Sequence, residues 1–253
     1  MTLNALIRKD LLVLRYANYH LAHFIARPNR FIAICDLHHE RIRVHVKNTG
    51  RNKEILQPQR QVALVKSDNL NRKTQYDLVA AKVGTRWINI DSQAPNHVAY
   101  ESIKNGGIQL PGISTEAITT LRPEVTFEDA RFDIFGATAS QPFFVELKGV
   151  TLANGALAAF PDAPTARATK HVQTLIRAQQ AGYQAYLCFI VQLPDVTAMT
   201  IYRQRDPALY AAVLMAQQHG VHLLAYQCAV TPGSLTVTQP VVIDLQRQFT
   251  EVP

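Results

Sequence analysis

The 253 residues give room for one large domain or two modest ones, and 47% hydrophobic against 18% charged content excludes a disordered chain. No apolar run approaches the roughly 20 residues of a membrane helix, and Arg8, Lys9 and Asp10 interrupt the first apolar stretch, so neither a span nor an export signal is expected. The net charge of +7 is uneven: residues 1–75 hold 14 Lys and Arg against 5 Asp and Glu, a one-sidedness that points to a polyanion partner, or to a basic domain without one.

In chain order, the first 16 or so residues suit a short helix. "FIAICDL", "RIRVHVKN" and "QVALVKS" then alternate at period two, and "YDLVAAKVGTRWINID" adds further strands. Short strands at close spacing predict a small barrel, residues 1–90 with the N-terminal extension. Residues 91–253 change texture. "PNHVAYESIKNGG" predicts a helix of about two turns. "ITTLRPEVTF", "ARFDIFGAT" and "PFFVELKGV" are strands in succession. "TARATKHVQTLIRAQQAG" is a helix with Thr165 as N-cap, Gly182 just past its end, and Val172, Leu175 and Ile176 on one stripe. "QAYLCFIVQL" reads as a strand buried on both faces, followed by the helix "DPALYAAVLMAQQHG" and the strand "VHLLAYQCAV". The order α-β-β-β-α-β-α-β describes a mixed sheet with helices on its faces.

Three cysteines, Cys35, Cys188 and Cys228, are odd in number and far apart, which suits free thiols in a cytoplasm. Cys35 with His38 and His39 lacks a second ligand pair for zinc, so a core thiol and two surface imidazoles are expected.

Charges stand out in "RFDIFGATASQPFFVELKG". Alternate strand residues share a face, so Glu146 and Lys148 point together. A hairpin around "GATASQP" would bring Asp133 opposite Glu146, with Cβ atoms about 5 Å apart. Carboxylates that close repel unless a proton or cation lies between them, and Mg²⁺ or Mn²⁺ suits the gap. Lys148 could then orient a water or steady charge on a phosphate. An exposed sheet face with Lys148 paired to either acid explains the same residues. In the following helix Arg167, Lys170, His171 and Thr174 fall at i, i+3, i+4 and i+7, one polar, basic face. Glu101 in the earlier helix could add an acid. Arg72 and Lys73 in "DNLNRK" with Tyr76, and Arg27 and Arg30 beside Phe31, suit a single strand by charge and stacking, or are simply basic barrel loops.

"ELKGVTL…FPDAPTARATKH" and "EVTFEDARFDI", with "NTG" at 48–50, "SDNLNRK" at 67–73, "APNHVAYESIKNGGI" at 94–108 and "DPALYAAVLMAQQHGV" at 206–221, resemble the sugar fermentation stimulation (SfsA) family over residues from about 20 to 235. The resemblance implies a DNA-binding protein, with sugar-metabolism genes as the regulatory context. It also implies an N-terminal OB-type barrel followed by a restriction-endonuclease-like PD-(D/E)XK domain. By position, Asp133, Glu146 and Lys148 fall on the nuclease triad, with Glu101 on the helix that often adds an acid. The family's "NTGSM", "SRxD", "KNVT" and "RGxKH" become "NTGRN", "ARFD", "KGVT" and "RATKH" here, so DNA handling is open to change. The expected partner is DNA, whether duplex, single-stranded or structured, held through Arg167, Lys170, His171, Arg72, Lys73 and Arg30. A Mg²⁺- or Mn²⁺-dependent nuclease with metal on Asp133, Glu146 and Glu101 is the alternative, and a regulatory protein with a vestigial carboxylate site a third reading.

Overall fold

A computed structural model of the chain describes residues 13–251 apart from 49 and 70. Its N-terminal third is built from β2 (Tyr19–Asn29), β3 (Ile32–Leu37), β4 (Glu40–Val46), β5 (Gln61–Lys66), β6 (Tyr76–Val83) and β7 (Arg86–Asn89). Alternation puts Ala33, Cys35 and Leu37 of β3 inside and leaves Ile32, Ile34 and Asp36 partly open. His38 and His39 both take positive φ, 55° and 68°, the twist a two-residue hairpin needs, so the two imidazoles are a turn and Cys35 is core. The strands run β4-β3-β2-β5-β6-β7, and a parallel β4–β6 pairing closes β2 to β6 into an OB barrel.

The remainder contains α1 (Ala94–Lys104), β8 (Thr120–Phe127), β9 (Ala130–Ala137), β10 (Pro142–Val150), β11 (Leu152–Asn154), β12 (Leu157–Phe160), α2 (Ala166–Gln180), β13 (Gln184–Val191), β14 (Ala198–Ile201), α3 (Pro207–Gln218), β15 (His222–Thr231), β16 (Ser234–Pro240) and β17 (Val242–Ile243). β1 (Val13–Arg15) completes a seven-stranded sheet ordered β1-β16-β15-β13-β10-β9-β8, while β11-β12-β14-β17 form a smaller one. The expected N-terminal helix fails at residues 13–15, which pair with β16, and otherwise lies outside the described residues. The extension thus joins the second domain's sheet rather than the barrel.

β13 sits at the centre of the sheet and is buried on both faces. Tyr186, Cys188 and Ile190 pack with Val98, Ala99 and Ile103 of α1, whereas Leu187, Phe189 and Val191 join Val172, Leu175 and Ile176 of α2. Each such large side chain contributes about 1.5–3 kcal/mol relative to water. α2 begins where the Thr165 hydroxyl accepts from Ala168 N at 3.2 Å, and ends at Gly182, φ +91°, where a side chain would be strained. The barrel interior is continuous with the α2-side core. Polar bonds pin the junction: Asn89 N donates to the Gln192 carbonyl at 3.0 Å and Gln192 Nε2 to Asn89 Oδ1 at 2.8 Å.

Candidate carboxylate centre and nucleic-acid groove

The hairpin over 138–141 sets the register: Phe144 pairs with Phe135 and Val145 with Ile134, and the next pair in line would be Glu146 with Asp133. The ladder stops one pair short of it. β9 stays with β8 as far as Ala130 but leaves β10, because Asp133 Oδ2 takes the Leu147 amide at 2.7 Å in place of a backbone acceptor. Phe132 and Ile134, two apart, join clusters on opposite sides of the sheet, so β9 rotates at Asp133. Simple alternation does not show this turn. Asp133 Oδ1 accepts from Asn96 Nδ2 of α1 at 2.8 Å, which fixes the carboxylate between strand and helix.

Glu146 points to the α2 side and is buried, 2% exposed. Its Oε1 accepts from Lys148 Nζ and from His171 Nδ1, the latter at 2.6 Å. Arg167 Nε donates to His171 Nε2 at 3.5 Å, so Arg167, His171, Glu146 and Lys148 form one hydrogen-bonded chain. With Nε2 accepting, Nδ1 holds the ring proton. Burial pushes the Glu146 carboxyl up, but Lys148 and His171 outweigh it and hold the group below the usual carboxylate range. Asp133 goes the other way. Burial and then the Glu146 charge lift it from the ordinary 3.8 to about 6, against the opposing pull of the Leu147 amide, Lys148 and Asn96.

Among the described residues, Glu146 Oε2 is buried without a hydrogen-bond partner. A buried, charged oxygen left bare is costly, and so is the Asp133–Glu146 repulsion. Both features fit a hard divalent cation, which takes carboxylate oxygen and keeps several waters. The donor set is small: among the described residues no group of three or more His, Cys, Asp or Glu converges. Glu101 does not join the acids, and this corrects the expectation for it. Five residues beyond Asn96, it lies about 140° around the helix and roughly 7.5 Å along it.

The predicted basic face of α2 is divided. His171 and Thr174 are buried, and Lys170 Nζ pairs with Asp129 at 3.0 Å. The cause is the bulk of the stripe: with Val172, Leu175 and Ile176 on the sheet, His171 is drawn in to Glu146. Arg167 alone of that set remains exposed at the helix start without an acidic partner among the described residues.

There it meets the barrel. A groove of ≈860 Å³ is lined by Arg30, Arg51 and Lys53 from the barrel, Phe160 from β12 and Arg167 from α2. Among the described residues none of these four cations pairs with an acid. Arg27 organises the barrel side: Nη1 donates to the Gly50 and Arg51 carbonyls at 2.8 and 2.7 Å, and Nη2 to those of Arg30 and Asn48 at 2.7 and 2.6 Å. The two domains touch at Gly50, where an added Cβ would lie 2.2 Å from Asp162 Oδ2. Asp162 is the acid in the groove wall. Burial raises it, and Arg205 and Arg27 partly offset the rise.

Arg72 and Lys73 lie on the β5–β6 loop and do not line the groove. Arg72 is engaged by Asp77, Nη2 to Oδ1 at 2.5 Å, where Lys47 Nζ also reaches Asp77 Oδ2 at 3.2 Å. Burial raises Asp77, but the two cations outweigh it and hold the carboxyl low. Sequence reasoning missed Asn96, Arg51 and Lys53. The last two were visible as part of the basic excess, but only the Arg27 clamp places them opposite α2.

Comparison with known proteins follows this architecture. Residues 25–90 match the family model "SfsA N-terminal OB domain" and residues 93–234 match "Sugar fermentation stimulation protein RE domain". The chain is 50% identical over 238 residues to a sugar fermentation stimulation protein homolog of Lacticaseibacillus casei, covering 94% of this chain and 97% of the relative. It is 46% identical over 236 residues to a homolog of Enterococcus mundtii, with 92% and 97% covered. The solved structure of Pyrococcus furiosus SfsA in complex with Ca²⁺ superposes with a TM-score of 0.83 at 24% identity, covering 92% of this chain and 98% of that one.

Proposed function

The chain belongs to the sugar fermentation stimulation (SfsA) family, and from that premise we propose that it binds DNA along the phosphate backbone, without dependence on base sequence. The observation that supports this reading is the convergence of Arg30, Arg51, Lys53 and Arg167 on one groove without acidic partners among the described residues. Cations left free of acids release counterions from a polyanion rather than exchanging one salt bridge for another. The residues for backbone contact are therefore Arg30 and Arg167 with Arg51 and Lys53; Lys73 lies outside the groove, Lys170 and Arg72 there are held by Asp129 and Asp77, and His171 acts through Arg167. A cytoplasmic location belongs to this reading and is supported by the three cysteines, all buried and free. Among the described residues no helix is long and apolar enough to cross a membrane.

The test is an anisotropy titration of a labelled duplex at several salt concentrations. Four phosphate contacts give a slope of log K against log salt of about −3 to −4. Absence of binding at low salt, by this duplex and by a single strand of the same length alike, would overturn the reading.

One observation favours a second activity, divalent-metal-dependent phosphodiester hydrolysis: the bare Glu146 Oε2 beside an Asp133 whose carboxyl is lifted by burial and then by the Glu146 charge. Asp133 and Glu146 would hold the Mg²⁺ or Mn²⁺, and the Ca²⁺ in complex with Pyrococcus furiosus SfsA supports a divalent ion as the ligand. When bound, such an ion supplies Lewis-acid polarisation and a more acidic water. Asn96 and the Leu147 amide would orient Asp133, while His171 and Lys148 orient Glu146. Thermal shift with Mn²⁺ and cleavage assays on single-stranded, duplex and structured substrates test it. Activity unchanged in Asp133→Ala would remove the assignment.

A further inference from the structure

The groove's row of cations and the exposed aromatic residue next to Arg30 name a substrate class, an inference that rests on the DNA-binding reading above. We infer that the groove holds a single strand of nucleic acid, its phosphates against Arg30, Arg51, Lys53 and Arg167 and one base against the ring of Phe31. Phe31 is the residue next to Arg30, at the tip of the β2–β3 turn, and it is 51% exposed. A bare aromatic residue of that size is unusual on a loop held so firmly. Asn29 Oδ1 accepts from Phe31 N and Ile32 N at 2.9 and 3.0 Å, and the Phe31 carbonyl accepts from Val46 N at 2.8 Å. Arg27 holds the adjoining Arg30 carbonyl at 2.7 Å. The backbone is fixed and the side chain is exposed, which is the arrangement of a stacking platform that loses little entropy on binding.

A duplex makes poor use of this surface. Its bases are stacked on one another, and its phosphates run in two rows across grooves of about 12 and 6 Å. The four cations instead line one concavity between the barrel and the start of α2. A single strand presents one row of phosphates and open base faces, matching charge and ring together. The β2–β3 turn is also the loop between the first two barrel strands, one of the places where OB barrels take oligonucleotides. Arg167 at the far wall donates to His171, which donates to Glu146, so a strand seated here lies beside the carboxylate centre. Asp162 is the one acid in the wall among the described residues, with the Arg27 and Arg205 charges acting on it.

The test compares a fluorescein-labelled oligothymidylate with a blunt duplex of equal length by anisotropy, using the full chain. The single strand is expected to bind about tenfold more tightly, and Phe31→Ala to lose about that factor for the single strand alone, the size of one stacked base. Phe31→Tyr, which keeps a π-face, should restore it. Replacing Arg30, Arg51 and Lys53 together by Gln should flatten the single-strand salt slope by about 2. Equal or tighter duplex binding, or a Phe31→Ala variant with undiminished single-strand affinity, overturns this inference and leaves DNA binding standing. Failure of both probes to bind overturns the two together.

Discussion

Replacing Asp133 by Asn is expected to stabilise the chain at neutral pH. Asp133 titrates near 6 in the folded protein against an ordinary 3.8, so the native state holds a proton that the unfolded chain has already released between those values. Stability therefore falls as pH rises from about 4 to 6, and above 6 the full penalty is present. A difference of that size corresponds to about 3 kcal/mol at neutral pH, an upper figure for a carboxylate that keeps some solvent contact. The variant should recover most of it. Its carbonyl oxygen can still accept from Leu147 N, and Asn96 can turn its amide to accept from the new NH₂, so neither bond is forfeited. Urea unfolding at pH 4.5, 6 and 7.5 measures the effect. The parent chain should lose stability across the series more steeply than the Asp133→Asn variant does, and the variant should be the more stable at pH 7.5. A variant less stable at pH 7.5, or with the same pH dependence as the parent, would refute the reasoning about the two carboxylates.

Glu146→Gln leaves the largely buried Lys148 facing a neutral amide and should lower stability by about 3 kcal/mol, measured by urea unfolding. The same variant should show no Mn²⁺-induced rise in melting temperature if Asp133 and Glu146 share an ion. Gly136→Ala places a Cβ 2.1 Å from the Phe143 ring, which is fully buried, and should cost about 1–3 kcal/mol in thermal or chemical unfolding. Arg27→Lys replaces a planar fork that reaches four carbonyls with a point donor. A loosened 48–51 loop, seen as faster amide exchange there, and weaker DNA binding are the expected results.

Strands with one wet face and helices with one apolar stripe were legible because their periodicity is imposed by a single layer of core. β3, β4, β9, β10, α2 and β13 all fall where alternation or the 3.6 repeat places them. β11, β12, β14 and β17 escaped because short strands in a small sheet carry too few residues for a period to show. Asp133 and Glu146 were legible as neighbours, since a hairpin fixes which residues face one another. The rotation at Asp133 was not, because it depends on a side chain replacing a backbone acceptor. His171 shows the same gap: helical spacing put it with Arg167 and Lys170, but burial against Glu146 decides its role. Glu101 and Asn96 differ only by where α1 docks, which the helix sequence alone does not contain.

The groove between barrel and α2 is tested most directly by mapping contact on the molecule. Photo-crosslinking of the full chain to a DNA strand carrying photoreactive thymines, followed by peptide mass spectrometry, reports which residues lie against the bound strand. Adducts in peptides spanning residues 29–31, 50–53 and 160–167 are predicted. Adducts confined to the far face of the sheet, around α1 and β16, would contradict the account.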